Sequence, residues 1–273
     1  MIRDRFEAAG IATAALDARL LAERAFGLDG VQLVANEREP MQPGGEKSLD
    51  AYATRRLAGE PVARILGEKE FYGLEFRLNA ETLVPRPETE LLVDLGLETI
   101  KSHKSPHILD LGTGSGCIPI SLLVNCKNAH AVAIDINPKA LEQAQENANL
   151  NGVADEIEFR QGSWFAPLDV DERFDLIVSN PPYIESEVIG SLDREVRLHD
   201  PVLALDGGFD GLAPYRIIAS MALNHLQPGG AVIVEVGQGQ AEIVAEMFVA
   251  AGFARREVHD DLAGVARAVL SIS

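Results

Sequence analysis

Apolar positions follow two rhythms along this chain, and the change comes near residue 70. Up to about residue 68, Phe6, Leu16, Leu20, Leu21 and Phe26 recur at helical spacing among Asp, Glu and Arg. Gly27 and Gly30 interrupt that pattern, and a further helix is expected from about Gly45 to Leu57, before Gly59-Glu60-Pro61. Residues 1–68 thus read as a small helical domain. From Phe71 to Leu78, aromatic or aliphatic residues alternate with others. Asn79-Ala80-Glu81 reads as a turn and Thr82-Leu83-Val84 as a return strand, so a β-hairpin linker is expected over 69–86. A helix from about Glu88 to Thr99 follows.

From residue 106 short apolar runs alternate with helical stretches. Strands are expected at His107–Leu111, Ala131–Asp135, Ile157–Arg160, Leu176–Asn180, Ala231–Val236, Arg255–Val258 and Ala266–Ile272. Helices are expected at Ile118–Asn125, Pro138–Asn149, Leu212–His225 and Ala241–Ala250. This alternation implies an α/β domain over 87–273 with a mostly parallel sheet covered on both faces. The last two strands have no clear helix between them and suit an antiparallel edge pair.

One strand ends abruptly. Leu176-Ile177-Val178 is continuously apolar, and Pro181-Pro182 then removes two ladder donors. Asn180 is thereby placed at the carboxyl edge of the sheet, where open α/β sheets bind ligands. Its side-chain carbonyl and the Pro181 backbone carbonyl are two acceptors suited to the hydrogens of a planar –NH2. Tyr183 offers a face to stack on the group that carries it. An Asn-Pro turn that merely ends a strand is the plainer reading of the same residues.

A second cluster lies upstream. Asp110-Leu111-Gly112-Thr113-Gly114-Ser115-Gly116 runs from the first strand into a helix. Its glycines let backbone approach a ligand. The spacing is Gly-x-Gly-x-Gly, which fails the third glycine of the dinucleotide fingerprint and disfavours an NAD oxidoreductase. Asp135, about 20 residues on, stands where an acid meets ribose hydroxyls; capping the Asn137-Pro138 helix is its alternative. Trp164, in Gly162-Ser163-Trp164, suits both a wall against adenine and a place in the core.

Charge narrows the partners. The 273 residues carry 24 Lys and Arg against 42 Asp and Glu, a net charge of −18. That balance is a poor match for nucleic-acid phosphates. Two cysteines form no disulfide framework, and six scattered histidines give no metal motif, so no metal is expected. No signal-like start or long apolar run appears, which points to a cytoplasmic protein with no membrane contact.

The glycine loop, the acid ending strand two and Asn-Pro-Pro-Tyr ending strand four resemble class I S-adenosylmethionine-dependent methyltransferases. More of the chain is similar to the release factor glutamine methyltransferases (PrmC/HemK). The matching stretches are Leu83 to Glu90, Asp110 to Cys117, Asn180 to Ile184, Asp206 to Leu212 with Tyr215-Arg216, and Gln227 to Gly230 before Glu235-Val236-Gly237. The resemblance implies a Rossmann-like seven-stranded sheet, with the helical domain recognising substrate. It implies methyl transfer from S-adenosylmethionine to the glutamine amide in the Gly-Gly-Gln motif of peptide chain release factors; a monomer is expected, though the sequence does not fix the oligomeric state. Gly112, Thr113, Gly114, Ser115 and Gly116 would line the methionyl part of the cofactor, Asp135 its ribose, and Ser163 and Trp164 its adenine. Asn180, Pro181, Pro182 and Tyr183 would hold the glutamine; Asn180, Pro181 and Tyr183 would be catalytic, with Asn180 also beside the cofactor. Ser163 departs from a common Asp, Arg64 from an aromatic, and Asp200 from a Glu. An adenine-amino methyltransferase acting on DNA or RNA is the nearest rival, since Asn-Pro-Pro-Tyr suits an adenine equally. A noncatalytic cofactor-binding scaffold is a rival of another class. Glu185 and Glu187 are candidate acceptors of the released proton, with a solvated loop as the favoured reading, and the polar stretch from Glu185 to Gly211 reads as substrate surface.

Overall fold

The computed structural model describes residues 2–35 and 43–273. Two compact units result: residues 1–68 with 193–199, and residues 69–192 with 200–273. The first holds α1 (Ile2–Ala8), α2 (Ala14–Phe26), α3 (Gly30–Ala35), α4 (Pro43–Leu57) and α5 (Val62–Leu66). Phe6, Ala14, Leu21, Ala53 and Ile65 form its core. Leu16, expected on the apolar face, is 45% exposed. The inner face of α2 runs instead through Ala14, Asp17 and Leu21, one helical stripe. Asp17 is buried because Arg56, also buried, reaches its Oδ2 at 2.6 Å. Arg56 also binds Glu195 at 2.6 Å, in a short helix of the 193–199 segment that belongs to this unit. Gly27 ends α2 in a left-handed conformation, as its position suggested, whereas Gly30 begins a helix.

The hairpin is earlier than its sequence reading. Strands β1 (Glu68–Phe71) and β2 (Leu74–Arg77) turn at Tyr72-Gly73, both at positive φ (54° and 74°). Two consecutive left-handed residues are what a two-residue hairpin turn needs. Tyr72 holds this unusual conformation through its N–H on Glu90 Oε1 (2.8 Å) and its hydroxyl on Asp94 Oδ1 (2.7 Å). Residues 79–81 do turn, with the Glu81 N–H on Asn79 Oδ1, but residues 82–84 form no strand.

The second unit is a seven-stranded sheet with helices. A 3-10 turn (Pro87–Thr89) leads into α6 (Glu90–Ile100). Then come β3 (His107–Leu111), α7 (Cys117–Asn125), β4 (His130–Asp135), α8 (Pro138–Leu150), β5 (Ile157–Gln161) and β6 (Phe174–Ser179). After α9 (Arg194–His199) come α10 (Ala213–Ala222), β7 (Leu226–Glu235), α11 (Ala241–Ala250), β8 (Arg255–Asp260) and β9 (Ala266–Ile272). The strand order is β5-β4-β3-β6-β7-β9-β8, parallel through β7. The last two strands pair antiparallel, and β9 is inserted between β7 and β8. Leu109, Ile177 and Val232 bury on one face; Ile108, Leu176 and Ile233 bury on the other. Burial on both sides is why these strands read as unbroken apolar runs. The order reverses between β3 and β6, so a crevice opens outside their carboxyl ends.

Candidate functional site

A cavity of about 410 Å³ lies at that crevice, within the roughly 300–1,000 Å³ usual for ligand sites. Its walls come from the glycine loop, the end of β4, the loops after β5 and β6, and residues 201–217. Gly112, Thr113, Gly114, Ser115, Asp135, Ser163, Trp164, Asn180 and Pro182 all line it. Three residues expected at the site do not line it. Gly116 packs beneath, where an added Cβ would sit 2.8 Å from Ile120 Cδ1. Pro181 is buried, and Tyr183 lies behind the wall.

The glycine loop is shaped by backbone. Gly112 and Thr113 donate to the Ile134 carbonyl at 2.8 and 3.0 Å. Gly112 and Gly114 adopt φ of 75° and 55°, a region a Cβ disfavours. Asp135 accepts the Gly114 N–H on Oδ2 (2.8 Å) and the Asn137 N–H on Oδ1 (2.9 Å). Burial nevertheless holds its pKa above the usual carboxylate value. Asn137 also caps α8, accepting the Lys139 N–H, so Asp135 leaves that task to its neighbour. Asn147, fully buried on α8, donates to the Ser115 carbonyl at 2.8 Å and keeps the loop against the helix.

Beneath the loop, Asp110 is buried, and the buried Thr113 hydroxyl is the polar group beside it that favours its charge. Burial, with Asp135 adding repulsion, pushes Asp110 up to about 7. A polar-floored cradle with open glycines and an acid at the ribose position fits S-adenosylmethionine, which has a cationic sulfonium, a charged amine and a ribose diol. Trp164 lines the cavity and also packs on the core, at φ 52°.

The other end is built from side chains far apart in sequence. The strand stops at Ser179, one residue short of its expected end, and the Ser179 hydroxyl ties it to the Leu111 carbonyl at 2.6 Å. Asn180 is the first residue beyond. Its Nδ2 donates to Thr89 Oγ1 (3.2 Å), and Thr89 donates to Glu235 Oε2 (2.6 Å). The Tyr183 hydroxyl reaches Glu235 Oε1 at 3.5 Å. Burial raises Glu235 to about 7 and Tyr183 to about 12. No hydrogen bond among the described residues ends on the Pro181 carbonyl. The Tyr183 carbonyl accepts Gln240 Nε2 at 3.0 Å, and Gly207 and Gly211 press on the Tyr183 backbone. A Cβ on Gly211 would lie 2.4 Å from that carbonyl, so glycine is required there.

Thr89 and Glu235 escaped the sequence reading as site residues. Glu235 carried a signal, being the lone charge in the apolar run from Ala231 to Val236. Thr89 carried one only as part of a family-like stretch. Arg86 also lines the cavity, bonded to Asp200 Oδ2 at 2.7 Å. Glu185 and Glu187 are exposed and outside the lining.

Residues 1–67 match the PrmC N-terminal domain family, and residues 89–193 match the family described as Methyltransferase small domain. The chain is 47% identical over 269 residues to a release factor glutamine methyltransferase of Bradyrhizobium diazoefficiens, covering 97% of this chain and 90% of that protein. It is 45% identical over 266 residues to one of Agrobacterium fabrum, covering 96% and 91%. Among solved structures, the hMettl16 catalytic domain in complex with MAT2A 3′UTR hairpin 6 superposes with a TM-score of 0.60 at 17% identity, over 81% of each chain. A methyltransferase from Pyrococcus furiosus gives 0.53 at 16% identity, over 82% of this chain and 98% of that one. At such identities the structural likeness speaks to the fold, which is that of class I methyltransferases.

Proposed function

The chain belongs to the release factor glutamine methyltransferase family and is an S-adenosylmethionine-dependent enzyme; from that premise we propose that it methylates the side-chain amide nitrogen of the Gly-Gly-Gln glutamine in peptide chain release factors. The observation that carries this reading is one cavity lined by both the glycine loop with Asp135 and by Asn180.

S-adenosylmethionine, when bound, supplies an electrophilic methyl on sulfur. Gly112, Thr113, Gly114 and Ser115 would hold its methionyl part, Asp135 its ribose, and Ser163 and Trp164 its adenine. A carboxylate hydrogen bond contributes about 1.5–3 kcal/mol. The acceptor poses the harder problem. Amide conjugation, whose rotation barrier is about 18–20 kcal/mol, withholds the nitrogen lone pair. The Asn180 and Pro181 carbonyls each take one N–H and favour a pyramidal nitrogen. Tyr183, braced by Gly207 and Gly211, backs this strand end and keeps Asn180 in register. Holding the nitrogen in line is worth up to roughly 7–11 kcal/mol. No strong base is needed first, because the methylated amide is transiently cationic and acidic.

The segment after Tyr183 and the helical unit form the protein-substrate surface in this reading. The enzyme acts in the cytoplasm as a monomer and does not bind nucleic acid directly. Among the described residues no helix is long and apolar enough to cross a membrane. The test offers purified release factor, duplex DNA and RNA together with labelled S-adenosylmethionine, and maps the product by mass spectrometry. Label on the Gly-Gly-Gln glutamine is expected. Label in nucleic acid alone would replace this reading with the adenine-amino one.

A further inference from the structure

Thr89 closes the 3-10 turn that runs into α6, with helical backbone angles (φ −69°, ψ −17°), and its hydroxyl makes no cap bond to α6. Its hydroxyl goes instead to Glu235 Oε2, 146 residues away, at 2.6 Å, with both residues buried. A threonine hydroxyl has one proton, and a carboxylate can only accept. With the proton committed to Glu235, only lone pairs of Thr89 remain for Asn180. The amide of Asn180 must then meet Thr89 through Nδ2, as observed at 3.2 Å. The reverse orientation would set two oxygens together with no proton between them.

Resting on the function proposed above, we propose that Thr89 and Glu235 are positioning residues whose one-way hydrogen-bond chain turns the Asn180 carbonyl, rather than its –NH2, toward the methyl-accepting amide. The direction of the chain depends on the charge of Glu235. A protonated Glu235 donates to Thr89, whose own proton is then free to point at Asn180 and let the amide rotate. The groups facing Glu235 are the Thr89 and Tyr183 hydroxyls, Arg267, which favours its charge, and Glu88, which opposes it. The Cys117 thiol lies within its field, and the Tyr215 hydroxyl takes the Glu235 backbone carbonyl at 2.9 Å. Burial places its ionisation at about 7. Turnover therefore rises with pH through that region as the acceptor geometry locks.

The test uses the full-length enzyme with purified release factor, and compares Thr89→Ser, Thr89→Val and Glu235→Gln. The serine variant keeps the hydroxyl and stays within about threefold of wild-type kcat. The valine variant keeps the shape and loses about 30–100-fold in kcat, of the order seen when one pre-aimed polar group is removed, with S-adenosylmethionine affinity unchanged. Glu235→Gln has no ionisation, and its amide carbonyl can still accept the Thr89 proton, so the acid limb of the pH profile disappears. Wild-type kcat in Thr89→Val, or an acid limb surviving in Glu235→Gln, would overturn the proposal. A second readout needs no substrate. The Asn180 side-chain amide, identified in a ¹H–¹⁵N spectrum by its loss in Asn180→Ser, is expected to titrate near pH 7 in wild type but not in Thr89→Val. Titration persisting in Thr89→Val sinks the hydrogen-bond chain whatever the substrate. A coupled amide in an enzyme that labels no release factor sinks the substrate reading and leaves the chain standing.

Discussion

Two carboxyls end strands of the same sheet, and they are served in opposite ways. Asp135, at the end of β4, is answered by backbone N–H groups from Gly114 and from Asn137, two residues on. Glu235, at the end of β7, is answered by hydroxyls of Thr89 and Tyr183, 146 and 52 residues away. In the proposed reading, the cofactor end of the cavity is thus held by local backbone, and the acceptor end is backed by side chains gathered from three elements. Backbone geometry tolerates side-chain change and suits a ligand that is always the same. A side-chain chain carries direction and charge, which the acceptor chemistry needs.

The largest effect is expected at Asn180. In the proposed reading Asn180→Ala removes the carbonyl facing the acceptor and should cost about 10³-fold in turnover, the upper range for losing one aimed polar group. Calorimetry should show S-adenosylmethionine binding largely intact, because the backbone end is untouched. Near-normal turnover in this variant would erase the distinction between the two ends.

Next comes stability. Burial raises Glu235 from 4.5 to about 7, so between those values the folded protein keeps a proton that the unfolded chain has released. Stability therefore falls as pH rises across that window, and the full cost, about 3 kcal/mol, is present above pH 7. Glu235→Gln carries no such charge. It should unfold at higher urea than wild type at pH 8, with the advantage shrinking toward pH 5. Equal advantage at both pH values would mean the carboxylate is not strained by burial. Asp135 should behave differently: Asp135→Ala is expected to weaken S-adenosylmethionine binding about 10–100-fold, in line with lost charge-assisted bonds, and to leave kcat at saturating cofactor within a few fold.

The same contrast explains what was legible beforehand. The glycine loop and Asp135 lie within 25 residues and announce themselves by spacing. Asn180 announces itself by the two prolines behind it. Thr89 does not, because its meaning comes only from register: β6 and β7 pair Ser179 with Val234, which brings Asn180 beside Glu235 across the ladder. No local pattern encodes that neighbour. The hairpin was misplaced for a related reason. Tyr-Gly lacks the usual Asn-Gly mark of a two-residue turn, and the carboxylates holding Tyr72 come from α6, outside any window around the turn. Trp164 was readable as a pocket residue, but its left-handed backbone was not.

The smallest effect is expected at Phe209, which belongs to neither end. The residue is 89% exposed, on a loop that is far from loose. Asp206 Oδ1 accepts the Ser186 hydroxyl and the Gly208 N–H, and Asp210 holds Arg216 and the Leu212 N–H. Neighbouring Gly207 and Gly208 line the cavity. A rigidly presented aromatic beside a site mouth contributes by being covered when a protein partner docks, and the full burial of such a side chain is worth about 1.5–3 kcal/mol. Partial cover gives less, so Phe209→Ala should raise KM for intact release factor about 3–10-fold. Its kcat, its S-adenosylmethionine affinity and its KM for a short glutamine peptide should stay as in wild type. A rise with the peptide equal to that with the intact protein would move Phe209 from the docking rim into the acceptor end, and the two-ended description would need a third side chain.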